Sequence, residues 1–380
     1  MGKKIILIGT AHPYRGGLAS YNERLIEEFN NEGDEAHIET FTLQYPSFLF
    51  PGKTQLSDSP APSNITINRS VNSINPLNWI KIGRQIKKSK PDLVLIKFWL
   101  PFMAPCFGTI SKIIRRNKTT KVISIIDNII PHEKRIGDNI LNKYFVKNVD
   151  AFVAMSKNVL TDLNKFDKHK KKVYNPHPLF DNFGELTNRE EALKYLSLSN
   201  DFSYILFFGI IRDYKGLDLL LKAFNNPWFQ QNKIKLIIAG EFYNNEQQYI
   251  DLIDSLNLKD HIILKDSFIP NEEVKYYFRA ANIIAQPYKN ATQSGVTQIG
   301  YHFEKPMLVT DVGGLAELIP HNKVGYVVPP EPKDIGDALI NFFKESKEDE
   351  FVENIKQEKK KFLWNKMTLT INNLLNEIQK

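Results

Sequence analysis

Short, continuously apolar runs rich in β-branched residues recur along the chain, each followed by a segment of helical period. They span 5–8, 93–98, 122–126 and 151–154 in the first half, and 204–208, 236–239, 262–264, 283–285 and 307–309 in the second. Hydrophobicity that is continuous rather than alternating marks strands covered on both faces, as in parallel sheets with crossover helices. The 3.6-residue period predicts helices over 19–31, 79–88, 105–116, 216–224, 246–256, 272–279 and 332–343. The β-α-β-α alternation occurs twice, which predicts two doubly wound α/β domains. A polar stretch from 181 to 201, after Asn175-Pro176-His177-Pro178, sets the boundary. The expected organisation is therefore a first domain over 1–180, a second over 181–365, and an amphipathic segment over 366–380 that packs back toward the first. Residues 45–78, rich in Pro, Ser and Asn, read as a long loop with weak strands.

Composition narrows the class. A single cysteine, Cys106, excludes both a disulfide framework and a cysteine-based zinc site. The first apolar run is too short for a signal peptide, and Lys97, Pro101 and Pro105 interrupt the nearest candidate for a bilayer span, 93–110. The expectation is a soluble, cytoplasmic chain. Its net charge of +7 is uneven: residues 1–180 hold 27 Lys+Arg against 15 Asp+Glu, a balance of +12, and the remainder stands at −5. The first half carries three basic clusters, Lys81/Arg84/Lys87/Lys88, Lys112/Arg115/Arg116/Lys118 and Lys168/Lys170/Lys171/Lys172, with aromatics at 98–102 nearby. This pattern fits contact with an anionic membrane surface on the inner face of the cell membrane, with a solvated basic surface as the alternative. No nucleic-acid-binding signature accompanies the charge, so nucleic acid is not an expected partner.

The loops after the strands carry the chemistry. The first strand leads into Gly9-Thr10-Ala11-His12-Pro13-Tyr14-Arg15-Gly16-Gly17, whose diglycine precedes a helix and lets backbone N–H groups approach a phosphate. It fails the dinucleotide fingerprint, which joins its glycines tightly to the strand. In the second half, strand 204–208 leads into Gly209-Ile210-Ile211-Arg212-Asp213-Tyr214-Lys215-Gly216. Arg212 and Lys215 stand three apart where ligands bind in open α/β sheets, and could clamp a departing diphosphate. Before the next helix, Thr292, Gln293, Ser294 and Gly295 pair N-cap residue types with close backbone access. Thr310-Asp311-Val312-Gly313-Gly314 repeats the strand-then-diglycine arrangement. Together these loops point to an anionic ligand held between the two domains.

Taken as an ordered set, 13–17, Asp127-Asn128-Ile129-Ile130-Pro131-His132-Glu133, 209–216, 292–296, Lys305-Pro306, 311–317 and 325–330 resemble the family 4 retaining glycosyltransferases of the GT-B fold. Within that family the chain is most similar to a bacterial branch with an Ala-Thr-Gln-Ser-Gly loop, and the resemblance covers nearly its whole length. It implies an α/β fold of two doubly wound Rossmann-like domains facing a central cleft, and transfer of a hexose from a nucleotide diphosphate sugar. The acceptor would be a glycan or lipid-linked molecule in cell-surface polysaccharide or glycoconjugate biosynthesis.

By the same resemblance, Gly16, Gly17 and Gly209 approach the donor diphosphate, and Arg212 and Lys215 neutralise it without a metal or other cofactor. Ser294, Gly295 and Val296 meet phosphates and ribose, beside Thr292 and Gln293, and Phe268 and Ile269 flank the base. Asp127, Asn128 and His132 lie near the transferred sugar. The chain departs from the family at its paired glutamates: gapless alignment on Lys305-Pro306 puts Ala291 and Ile299 there, with Gln293 or Gln298 as substitutes. Two alternatives stand beside this reading, a GT-B sugar-nucleotide epimerase, which would need a carboxylate pair in the cleft, and a catalytically decayed nucleotide-sugar-binding subunit, which the missing glutamates favour.

Overall fold

The computed structural model describes residues 2–46, 55–57, 60–131, 135–291 and 294–380. The chain divides into two units, Met1–Pro178 with Leu363–Lys380, and Leu179–Phe362.

The first unit is built from β1 (Lys4–Ile8), α1 (Gly17–Asn31), β2 (Glu35–Leu43), β3 (Thr66–Asn72), α2 (Pro76–Ser89), β4 (Leu93–Phe98), α3 (Ala104–Ile114), β5 (Lys121–Ile126), α4 (Asp138–Lys147), β6 (Ala151–Ala154), α5 (Lys157–Asn164) and β7 (Lys172–Tyr174). Its seven strands pair in parallel in the order β3-β2-β1-β4-β5-β6-β7. All six side chains of β4 are buried, as a central parallel strand between helical layers requires. Phe98, Phe107 and Phe145 fill one layer, with Phe98 and Phe145 stacked 4.3 Å apart.

The described residues 66–78, part of the stretch read from composition as a long loop with weak strands, hold a strand and the start of a helix. The strand, β3, is paired with β2, and α2 begins at Pro76 behind Asn75, whose Oδ1 accepts from the N–H groups of Leu77 and Asn78. β3 is the edge strand and buries only Val71 fully, so it lacks the continuous apolar run that betrays the central strands.

The second unit contains α6 (Arg189–Tyr195), β8 (Ser203–Phe208), α7 (Leu217–Phe224), α8 (Pro227–Gln231), β9 (Ile234–Ala239), α9 (Glu246–Ser255), β10 (Ile262–Lys265), α10 (Asn271–Ala280), β11 (Ile283–Gln286), α11 (Gly295–His302), β12 (Met307–Thr310), β13 (Gly325–Val328), α12 (Pro332–Lys344) and α13 (Glu348–Glu358). Its parallel order is β10-β9-β8-β11-β12-β13. Counted within the unit, that is 3-2-1-4-5-6, the doubly wound order whose direction of winding reverses between the first and fourth strands.

The last helix, α14 (Trp364–Gln379), belongs to the first unit and packs on α1 and the β5–β6 region. The Trp364 ring sits 5.2 Å from that of Tyr21 and under the Arg24 guanidinium, and Thr370 Oγ1 donates to Asn175 Oδ1 at 2.9 Å. Among the described residues no helix is long and apolar enough to cross a membrane.

Candidate active site

In the second unit the winding reverses between β8 and β11, and the loops that leave the carboxyl ends of these two neighbours bring the predicted cations and the α11 N-terminus to one sheet edge. The loop after β8 runs from Gly209 into a 3-10 turn over Asp213–Lys215. Gly209 has φ +90°, and a Cβ there would stand 3.1 Å from Lys215 Nζ and 3.7 Å from Val296 Cγ2. Gly209, Lys215 and the first turn of α11 therefore converge, and only glycine leaves the space between them open. At Gly216, φ +69°, a Cβ would fall 1.9 Å from the Pro287 carbonyl oxygen, so close contact between the two loops depends on that glycine too. The Lys289 N–H donates to the Tyr214 carbonyl at 2.7 Å and ties them further.

The two cations differ in setting. Arg212 is exposed, with its guanidinium 3.8 Å above the Tyr243 ring, which fixes its plane. Lys215 is 8% exposed, and neither side chain has a carboxylate within ion-pair distance among the described residues. Burial, reinforced by Arg212, pushes the Lys215 amine down to about 7. A buried cation with no anion of its own is costly to hold, and a bound anion would relieve that cost.

Across from it, Ser294 precedes α11 but does not cap it: its hydroxyl lies 3.2 Å from the Tyr288 hydroxyl. Among the described residues, the first-turn N–H groups of α11 thus have no side-chain cap from Ser294, and a helix N-terminus of this kind suits an acceptor. Burial raises the Tyr288 phenol well above the usual tyrosine range, so it stays a neutral hydrogen-bonding group. Gln298, offered as a substitute for a missing glutamate, is fully buried, and neither of its amide atoms has a partner among the described residues. Ala291 and Ile299, at the glutamate positions, are buried and apolar. Phe268 and Ile269 follow β10 on the same sheet edge, Phe268 exposed and Ile269 buried. Thr292 and Gln293 lie outside the described residues.

The first unit repeats the plan. Its reversal falls between β1 and β4, and the loop after β1 ends at Gly16, φ +102°, the N-cap of α1, with Gly17 as the first helical residue. That loop is held from beneath: Asn22 Nδ2 donates to the Thr10 carbonyl at 2.8 Å and the His12 N–H donates to Glu23 Oε1 at 2.7 Å. Asp127 and Asn128 follow β5 on the same edge. His132 lies outside the described residues.

The pattern of apolar runs did not single out Asp127's partner. Lys97, 1% exposed in β4, places its Nζ 2.8 Å from Asp127 Oδ1 and 3.5 Å from the Tyr21 ring centroid. Burial pulls the Lys97 amine below its ordinary value, and the Asp127 carboxylate opposes that shift. His177 completes the group, its ring 5.0 Å from that of Tyr21 and its Nδ1–H donated to the Pro178 carbonyl at 2.7 Å. Burial and the Lys97 charge push His177 down to about 3, so it is neutral at ordinary pH. A signal for Lys97 was present, since a lone charge inside the fully apolar run Leu93–Phe98 must find a buried partner.

Solved structures share this architecture over the full length. Sucrose-phosphate synthase from Thermosynechococcus elongatus superposes with a TM-score of 0.75 at 16% identity, covering 99% of each chain. Anabaena Alr3699/HepE, solved in complex with UDP, gives 0.73 at 16% identity over 99% of this chain and all of that one. These likenesses and the two doubly wound sheets define a GT-B fold of two Rossmann-like domains.

Residues 188–362, nearly all of the second unit, match the model for glycosyl transferases group 1. An uncharacterized glycosyltransferase of Methanocaldococcus jannaschii, MJ1178, is 25% identical over 99% of this chain and 98% of its own. A D-inositol 3-phosphate glycosyltransferase of Thermobifida fusca is 26% identical over 40% of this chain and 37% of its own length. The match over the second unit and the glycosyltransferase-named relatives support a transferase enzyme of glycosyltransferase type.

Proposed function

We propose that the protein is a family 4 retaining glycosyltransferase that moves a hexose from a nucleotide diphosphate sugar to a hydroxyl of a glycan or lipid-linked acceptor, in the making of cell-surface polysaccharide or glycoconjugate. The observation that carries this reading is Lys215: a buried amine between Gly209 and the first turn of α11, with no carboxylate partner among the described residues and with Arg212 on the same loop.

In this reading the donor diphosphate lies against the α11 N-terminus, Ser294, Gly295 and Val296, and accepts from Lys215 and Arg212. Phe268 and Ile269 flank the base, and Gly16 and Gly17 approach the diphosphate. As the bond from the anomeric carbon to the phosphate oxygen breaks, negative charge grows on that oxygen, and Lys215 and Arg212 stabilise it. The acceptor oxygen attacks from the same face and its proton passes to the departing phosphate, so the configuration is kept. The Anabaena structure holds UDP, which makes UDP-sugars the first donors to try.

Asp127, held by Lys97, and Asn128 are placed by this reading beside the transferred sugar. An anionic membrane surface on the inner face of the cell membrane is the expected setting for a lipid-linked acceptor. Lys215→Ala tests the assignment: transfer is lost while circular dichroism and the unfolding transition stay native-like, and near-normal turnover would sink it. Buried Ala291 and Ile299 favour a second reading, a subunit that binds the donor without transferring from it. Donor binding without release of nucleoside diphosphate, in the presence of cell-envelope acceptors, would establish that one instead.

A further inference from the structure

The first unit holds a second cationic feature, at the opposite edge of its sheet. Where α3 ends and β5 begins, Lys112, Arg115, Arg116, Lys118 and Lys121 line, with Asp150, a solvent-open cavity of about 460 Å³. The one carboxylate is already engaged: Asp150 Oδ1 pairs with Arg115 Nε at 2.7 Å, and Oδ2 accepts the Val122 N–H at 2.8 Å. Lys112, Arg116, Lys118 and Lys121 have no carboxylate within ion-pair distance among the described residues. The cavity therefore carries a formal excess of four positive charges.

Its wall is fixed in advance. Asn117 Oδ1 accepts the N–H groups of Thr119 and Thr120 at 3.0 Å each, its Nδ2 donates to Thr120 Oγ1 at 2.8 Å, and Thr120 Oγ1 donates to the Pro91 carbonyl at 2.7 Å.

Helix ends alone do not account for this charge. A helix C-terminus presents only about half a negative charge, and that of α4 already has its own cation. Lys170 Nζ donates to the carbonyls of Val146, Lys147 and Val149 at 2.5, 2.9 and 2.6 Å. Nor does the cavity belong to the transfer edge. β5 runs from Lys121 at the cavity to Ile126, just before Asp127, and a six-residue parallel strand spans roughly 20 Å.

We propose that this cavity binds a phosphoryl group bearing two or more negative charges, at a site separate from donor and acceptor. Guanidinium and ammonium donors converging on a preformed concavity are the chemistry that recognises phosphate oxygens. A soluble polyphosphate and the phosphate of a lipid headgroup present the same chemistry. The proposal stands independently of the donor-site reading.

The test is pyrophosphate titration by calorimetry, with flotation on phosphatidylcholine vesicles with and without phosphatidylglycerol. Lys215→Ala removes the competing donor site from view. In that background, adding Lys112→Ala, Arg116→Ala and Lys118→Ala, none of which disturbs the Arg115–Asp150 pair, should weaken pyrophosphate binding at least ~30-fold. The single change Arg116→Glu should weaken it at least ~10-fold and guards against a misfolded triple variant. Pyrophosphate binding without vesicle binding identifies a soluble ligand. Vesicle binding that pyrophosphate displaces and the triple variant loses identifies a headgroup. Affinity unchanged by the added substitutions, binding of neither probe, or binding of a single-stranded DNA oligomer alone would overturn the proposal.

Discussion

Donor binding should be coupled to proton uptake at Lys215. An exposed lysine titrates near 10.4, and burial beside Arg212 brings this one down to about 7. In the free protein at pH 8 about nine-tenths of Lys215 is then neutral, while a bound diphosphate favours the charged form. A nucleotide diphosphate sugar has both phosphates esterified and keeps its charge constant over this range, so the protein supplies the linkage. Donor affinity should fall about tenfold from pH 6 to pH 8, with about 0.9 proton taken up per donor bound at pH 8. Calorimetry in buffers of different ionisation enthalpy reads both quantities. In Lys215→Met the pH dependence should vanish along with most of the affinity.

The same shift fixes a stability effect of opposite sense. Between about pH 7 and pH 10.5 the unfolded chain binds a proton that folded Lys215 does not, so folding is favoured as pH rises through that window. The cost of holding the amine is fully present below pH 7, on the order of 5 kcal/mol. Lys215→Met should therefore raise stability at pH 7 by about 1–4 kcal/mol while it destroys donor binding. Affinity that is flat from pH 6 to pH 8 with no proton uptake, or a Lys215→Met protein less stable than the parent, would refute the reasoning.

Other outcomes follow from the same geometry. Asp127→Asn strips the buried Lys97 of its counter-charge and should cost about 3–5 kcal/mol by urea denaturation, with much of that regained in Lys97→Met/Asp127→Asn. Trp364→Ala removes the ring between Tyr21 and Arg24 and should destabilise the first unit by about 3–5 kcal/mol, measured as a shift in its unfolding midpoint. His177 is held neutral down to about pH 3, whereas in the unfolded chain it charges near 6.5. Stability should therefore fall with pH from about 6.5 toward 3, and His177→Gln should flatten that limb of the stability curve. Because Arg212 and Lys215 are assigned the charge-neutralising role, transfer should continue in excess EDTA, assayed by release of nucleoside diphosphate.

The fold class was legible because the central strands of both sheets are buried on both faces. β1, β4, β5, β8 and β9 each read as a continuous apolar run, and the loops that follow them carry the glycines and cations of the site. Two strands on one side of the first sheet, β2 and β3, were not legible in that way. β2 alternates buried and half-exposed positions and β3 is mostly open, so neither matches the central-strand pattern. For the site, sequence order placed Arg212 and Lys215 on one loop but could not distinguish their settings. Arg212 is exposed on Tyr243, whereas the return of the loop at Gly216 buries Lys215. The Lys97–Asp127 pair was hidden because its members lie thirty positions apart, Lys97 within β4 and Asp127 just past the end of β5, and only the β4–β5 register brings them together. The basic residues counted as one surface in the sequence also separate in space. Lys112, Arg115, Arg116 and Lys118 gather round a cavity at the strand-start edge, away from Gly16, Gly17 and Asp127.

The central claim, sugar transfer from a nucleotide donor held by Lys215, is tested most directly by following release of nucleoside diphosphate from UDP-, GDP- and ADP-sugars, native protein against Lys215→Ala. The account predicts that the native protein consumes one of these donors and that the variant, equally well folded, does so at least ~100-fold more slowly. Consumption of none of them by the native protein, or an equal rate in the variant, would contradict it.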